Sequence, residues 1–166
     1  MAAFVNISRS ILLGTTWTGT GPGLPGTQTV SGTIASPQDI SPYVRGGNPS
    51  VQAAMQDGTT FGSGGFVVQY PGLRSGDSIT FECLSDFAAT TLYPIVQTTL
   101  GGLAAPGSSP IFLDLKPTSS ARSATNPSFV AAGYISAWTP VTGSVGDLAS
   151  ASLTFTIIGK FDYLTA

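Results

Sequence analysis

The chain has 166 residues and a formal net charge of −2, with 42% hydrophobic but only 8% charged residues. Globular chains ordinarily carry about 25% charged residues, so much of this surface is expected to be covered by other copies. There is no histidine and one cysteine, Cys83, which removes Ser-His-Asp and Cys-His triads, most zinc sites and any internal disulfide framework.

The length favours one domain over residues 1–166, and 9 Phe and 5 Tyr are enough to build a core. The basic residues Arg9, Arg45, Arg74, Lys116, Arg122 and Lys160 are scattered, whereas a grip on nucleic acid needs them clustered. No apolar run is long enough to span a membrane. The opening MAAFVNISRSILLG lacks the pattern of a secretory signal, so Asn6-Ile7-Ser8 reads as an accidental glycosylation match.

Glycine and proline punctuate short alternating runs, the pattern of an all-β chain. The first strand is expected over 3–13. A flexible stretch follows over 14–26. It contains Gly21-Pro22-Gly23-Leu24-Pro25-Gly26, a literal G-x-G-x-x-G, but its two prolines remove amide donors and no helix follows, so it reads as a loop. A strand over 28–34 leads into a long stretch, 35–64, whose prolines argue against a central strand or a long helix. Tyr43, Val44, Arg45, Val51, Met55 and Phe61 lie in it. They have no sustained period and so no evident local partner, which makes them candidates for contact with another subunit or ring.

The next strand is expected over 65–70, followed by a Pro-Gly and Gly-Asp turn over 71–77. Residues 78–84 alternate, with Ile79, Phe81 and Cys83 on one face and Ser78, Thr80 and Glu82 on the other. Ala88, Leu92, Val96 and Leu100 repeat at four-residue spacing and predict a helix capped near Ser85-Asp86 and kinked or divided by Pro94. Three strands close the chain, over 111–115, 128–138 and 151–158. The expected core includes Ile79, Phe81, Leu113, Phe155 and Ile157. The architecture is mainly β: an antiparallel β-sandwich or half-barrel with one flanking α-helix.

Little here points to chemistry. The eight acidic residues form no D-x-D-x-D calcium series, and isolated acids such as Asp77 and Asp147 suit turns. A carboxylate-dependent glycosidase needs only two acids close in space, but so few acids without a histidine offer little to build a cleft. Trp17 and Trp138 fit core or interface better than a sugar platform. No catalytic, cofactor or metal residue is expected.

The closing order is distinctive. A strand ends in Lys116-Pro117, a polar loop leads to Asn126-Pro127, and a second strand ends at Trp138-Thr139-Pro140 before the turn Gly143-Ser144-Val145-Gly146-Asp147 and a last strand. This resembles the C-terminal half of the major tail tube proteins of long-tailed (siphophage-type) bacteriophages. GDSITFECLSDFAATTLYPIV is also similar to that family's strand-then-helix passage. The resemblance implies a structural virion protein whose homohexameric rings stack into a tube conducting DNA from capsid to host cell. Its partners would be other copies, tail proteins at the tube ends and a tape-measure protein in the lumen, with DNA passing unbound and no membrane insertion. The implied locations are the virion tail and, during assembly, the host cytoplasm. Glu82, Asp114 and Asp162 are the lumen-facing candidates. Readings from other classes are a carbohydrate-binding β-sandwich of a tail adhesin and a capsid decoration protein.

Overall fold

The computed structural model describes residues 9–22, 29–47, 53–57, 59–60, 64, 66–67, 69–74, 78–88, 91–105, 107–146 and 148–165. The strands are β1 (Ser10–Gly14), β2 (Thr16–Thr18), β3 (Thr33–Ala35), β4 (Gln38–Asp39), β5 (Val44–Gly47), β6 (Ala53–Asp57), β7 (Gln69–Arg74), β8 (Ser78–Leu84), β9 (Ile111–Lys116), β10 (Ser128–Thr142) and β11 (Ser150–Leu164). Among the described residues there is one short helix, α1 (Leu92–Pro94), which runs into a wider π-helical turn at Ile95–Thr99.

Seven strands form one antiparallel sheet in the order β4-β1-β9-β10-β11-β8-β5, curled into a half-barrel. β2 pairs β3 and β6 pairs β7 in two small ribbons. The mainly β expectation with one helix holds, with the layers unequal: one large sheet carries the fold.

The core covers one face of that sheet. Ile11 and Leu13 of β1, Ile79, Phe81 and Cys83 of β8, Leu113 of β9, Ile135 of β10, and Leu153, Phe155 and Ile157 of β11 are all buried in one cluster. Leu92, Ile95, Val96 and Leu100 of the helical segment close it from above, with Ile40. All five expected core residues lie in this cluster. Gly133 is required where β10 crosses it, because a Cβ there would run into the Phe155 ring and the Thr156 carbonyl.

The helical segment is shorter than its periodicity predicts. Asp86 Oδ1 accepts the Ala88 amide at 3.0 Å, a local turn that holds the chain out of helix. Helix begins only at Leu92, so Pro94 falls in the first turn, where amides have no intrahelical acceptor and a missing donor costs nothing. The geometry widens directly after it, and the Leu100 amide reaches the Ile95 carbonyl.

The stretch 35–64 carries β4, β5 and β6. β4 and β5 are the two edges of the large sheet, positions that tolerate proline nearby. Of the turn expected over 71–77, residues 71–74 are strand instead, since β7 extends through Pro71 and Gly72 to Arg74 in a two-stranded ribbon; residues 75–77 lie outside the described residues. The last two strands run past their expected ends, to Thr142 and Leu164. Pro140 is tolerated because it lies in the register shift between Thr139 and Thr142, where the ladder asks less of the amide.

β10 and β11 make the longest ladder, with register shifts at Val130/Ala132, Ile135/Ala137 and Thr139/Thr142. β8 and β11, by contrast, pair without a break from Ser150↔Leu84 to Thr156↔Ser78.

Candidate assembly surfaces

The face of the sheet opposite the core divides into two halves. Over β1 and β9 it is covered. The β2–β3 ribbon lies there with Trp17 against Phe112, ring centroids 5.6 Å apart, and the polar loop after β9 folds over it. Asn126 organises that loop. Its side-chain oxygen accepts the Thr118 amide at 3.0 Å, and its Nδ2 donates to the Ser120 and Ala121 carbonyls at 2.9 and 3.2 Å. The loop delivers Arg122 to Asp114, Nη2 to Oδ2 at 3.6 Å, with side chains only 13% and 7% exposed. Arg122 also donates from Nη1 to the Gly32 carbonyl at 3.2 Å, which ties ribbon, loop and sheet together. Among the described residues Arg122 Nε and Asp114 Oδ1 find no hydrogen-bond partner; a bidentate arginine–carboxylate pair would join such a donor and acceptor. A cleft of about 420 Å³ lined by Leu12, Ile34, Pro37, Asp114 and Arg122 opens beside them.

Over β8, β11 and the far half of β10 this face is open. Three cross-strand rows cover it: Ser78–Thr156–Tyr134, Thr80–Thr154–Ala137 and Glu82–Ser152–Thr139. These rows hold one carboxylate and no lysine or arginine. Two pairs of hydroxyls bond each other. Thr80 and Thr154 Oγ1 are 3.0 Å apart and Thr156 Oγ1 donates to Ser136 Oγ at 2.7 Å.

The sequence candidates scatter across this framework. Glu82 is exposed on the open half. Asp114 is buried beneath Arg122, and Asp162 pairs with Lys160 at 2.6 Å. Both share one row with Leu12 and Val130 on the covered half. Tyr43 and Val44 are not without a local partner: they pack half-buried against this chain's own core. Arg45 is exposed on the edge strand β5, at a register shift against β8. Met55 lies on β6 opposite Pro71. Val51 and Phe61 lie outside the described residues.

Sequence reasoning missed Arg122 and Asn126 as organisers. The signal for Asn126 was present, since an asparagine before a proline that opens a strand is placed to close the preceding loop on itself. It also missed an aromatic cluster at the open end of the β10–β11 hairpin. There Phe129 lies 6.1 Å from Phe161 and 5.4 Å from Tyr163.

Cys83 is inert: burial pushes its thiol up to about 11. Among the described residues no group of three or more Cys, Asp or Glu gathers as metal ligands would.

No family model matches this sequence, and no curated protein matches it. Solved structures do match its fold. A chain of the sheath/tube terminator of an extracellular contractile injection system, in its extended state, is similar over 98% of this chain and 97% of its own length, with a TM-score of 0.57 at 9% identity. A chain of the anti-feeding prophage baseplate, solved with six-fold symmetrisation, is similar over 99% and 97%, with a TM-score of 0.58 at 10% identity. A chain from the tail of an empty GTA particle, refined with C6 symmetry, is similar over 80% and 88%, with a TM-score of 0.54 at 17% identity. The chain therefore has the fold of proteins built into tails and tail-like injection particles.

Proposed function

We propose that this chain is a structural tail protein whose homohexameric rings stack into a tube conducting DNA, assembled in the host cytoplasm and carried in the virion. The open hydroxyl half of the large sheet carries this reading. A lumen wall must let a polyanion slide. Three rows of small hydroxyl-bearing side chains with Glu82 and without a cation, Arg45 standing apart on the edge strand β5, offer a sliding phosphate little to neutralise it, so few counterions are released and no strong grip develops. Of the three acids proposed for the lumen, Glu82 is the one that stands uncovered there.

The sheet edges support the same reading. β4 and β5 are two and four residues long, and β5 carries Arg45, features that blunt uncontrolled pairing. Closing a ring joins such edges between neighbours, and head-to-tail contacts with a closing rotation give rings. Residues 35–64, which supply both edges, are thereby the inter-subunit segment of the domain. A sugar-binding role is less well served. Trp17 and Trp138 are half-buried against the chain's own residues, and exposed Phe129 and Tyr163 stand 61° apart, edge to face, where a sugar platform needs a flat ring.

A second reading is favoured by the near-complete overlap with the terminator and baseplate chains: a ring at a tube end that stacks on one side only. Electron microscopy of the purified protein over a range of concentrations separates the two. Long stacked tubes support the tube subunit, single or paired rings support the end component, and a monodisperse monomer at every concentration and salt refutes both.

A further inference from the structure

The β10–β11 hairpin exposes apolar side chains at both of its ends. At the closed end Val141, Val145 and Leu148 are 54%, 108% and 72% exposed. At the open end Phe129 and Tyr163 are 36% and 57% exposed and form one cluster with Phe161. Phe129 pairs there with Leu115 of β9 as well as with Tyr163. The ends lie roughly 40 Å apart along β10 at ~3.3 Å per residue. No described residue of the chain covers either end. Their charges are complementary. In the sequence the connection between the strands contains one charged residue, Asp147, whereas at the open end Arg122 and Lys160 are paired with Asp114 and Asp162 and Lys116 is the one cation beyond those pairs.

Resting on the ring-stacking reading, we propose that the closed end of this hairpin in one copy docks onto the Phe129–Phe161–Tyr163 cluster of a copy in the next ring. The occupant is a second copy of this chain, because the chain itself supplies both halves of the contact: apolar aliphatic against apolar aromatic, negative against positive. Such a contact is heterologous. Each copy is left with one free patch of each kind, so the contact repeats without end along the stacking direction. It is also small. The two patches together expose on the order of 600 Å² of apolar surface, below the ~1,200 Å² that a specific pair needs. One contact does not hold two free subunits together, whereas a ring of them holds two rings. Stacking is therefore cooperative, and rings precede it.

A cysteine pair tests the docking directly, since Cys83 is buried and stays out of the chemistry. A chain carrying both Val145→Cys and Tyr163→Cys, assembled and then oxidised, gives a ladder of covalent multimers on a non-reducing gel, while either single variant does not. A second variant, Val145→Asp with Leu148→Asp, alters only exposed side chains and should melt like the parent. It should keep its rings and raise the concentration needed for stacking at least about tenfold, the effect of ~1.4 kcal/mol. If the cysteine pair leaves no ladder and the aspartate variant stacks at the parent's concentration, the docking is refuted and the tube reading stands. If the parent forms no rings at all, both are refuted.

Discussion

Replacing Arg122 with methionine should destabilise the protein by about 3–5 kcal/mol, the range found when one partner of a buried ion pair is removed. The geometry supports that magnitude. At 3.6 Å from Asp114 and an effective dielectric near 20, the lost attraction is about 4–5 kcal/mol. The lost bond to the Gly32 carbonyl adds about 1.5–3 kcal/mol, the value for a charged donor. Against these stands the recovered desolvation of the guanidinium, several kcal/mol per buried ion. Methionine keeps most of the apolar stem, so packing changes little. Urea unfolding followed by Trp17 and Trp138 fluorescence, at concentrations where the protein is dispersed, measures the loss as a shift of midpoint at constant m. Asp114→Asn combined with Arg122→Met removes both charges and should cost about 1–2 kcal/mol, less than Arg122→Met alone, giving a coupling of at least ~2 kcal/mol. A cost below about 1 kcal/mol for Arg122→Met, or an additive cycle, would show that the loop is not pinned to the sheet by this pair.

Three further outcomes follow from the core. Phe155→Ala should cost about 3–5 kcal/mol in the same assay; a loss under about 0.5 kcal/mol would mean that the β11 register is wrong. Native Cys83 should resist a thiol-reactive disulfide at pH 8 and react at once in urea. Its raised pKa of about 11 also fixes a sign. The unfolded chain gives up the thiol proton first, so stability is full below about pH 9 and falls as pH rises toward 11, by about 2–3 kcal/mol. Cys83→Ala should remove that slope, and an unchanged slope would refute the assignment.

What was legible in the sequence was what depends on near neighbours. Ile79, Phe81 and Cys83 alternate with polar residues, and that local pattern placed β8 and its faces. The same held for Leu113 and for Leu153, Phe155 and Ile157. The edges were not legible, because two to five residues rich in glycine and proline carry no period to detect. Proline at 140 suggested a strand end, since a missing amide is costly in a regular ladder; the register shift that accommodates it is a property of two strands together. Asp114 follows Leu113 in an alternating strand and so lies on the face away from the core. That Arg122 would fold back over it depends on the Asn126-centred loop, a tertiary arrangement that alternation does not encode. Tyr43 and Val44 were read as lacking a partner because theirs, Cys83 and the core around it, lies far along the chain.

The three register shifts of the long hairpin cancel. Near the open end β11 holds two residues more than β10. Further along, β10 holds one more at Ile135/Ala137 and one more at Thr139/Thr142. Both strands therefore count fifteen residues and finish in step, although their middles are offset. Each one-residue bulge on β10 also inverts the phase of inward and outward side chains beyond it. Indels along this hairpin are consequently not independent. Losing one bulge would turn the far segment inside out, and a matching change elsewhere would be needed to restore it. Lineages that lengthen or shorten this element should do so in compensated steps, a covariation in length invisible to any comparison made one column at a time.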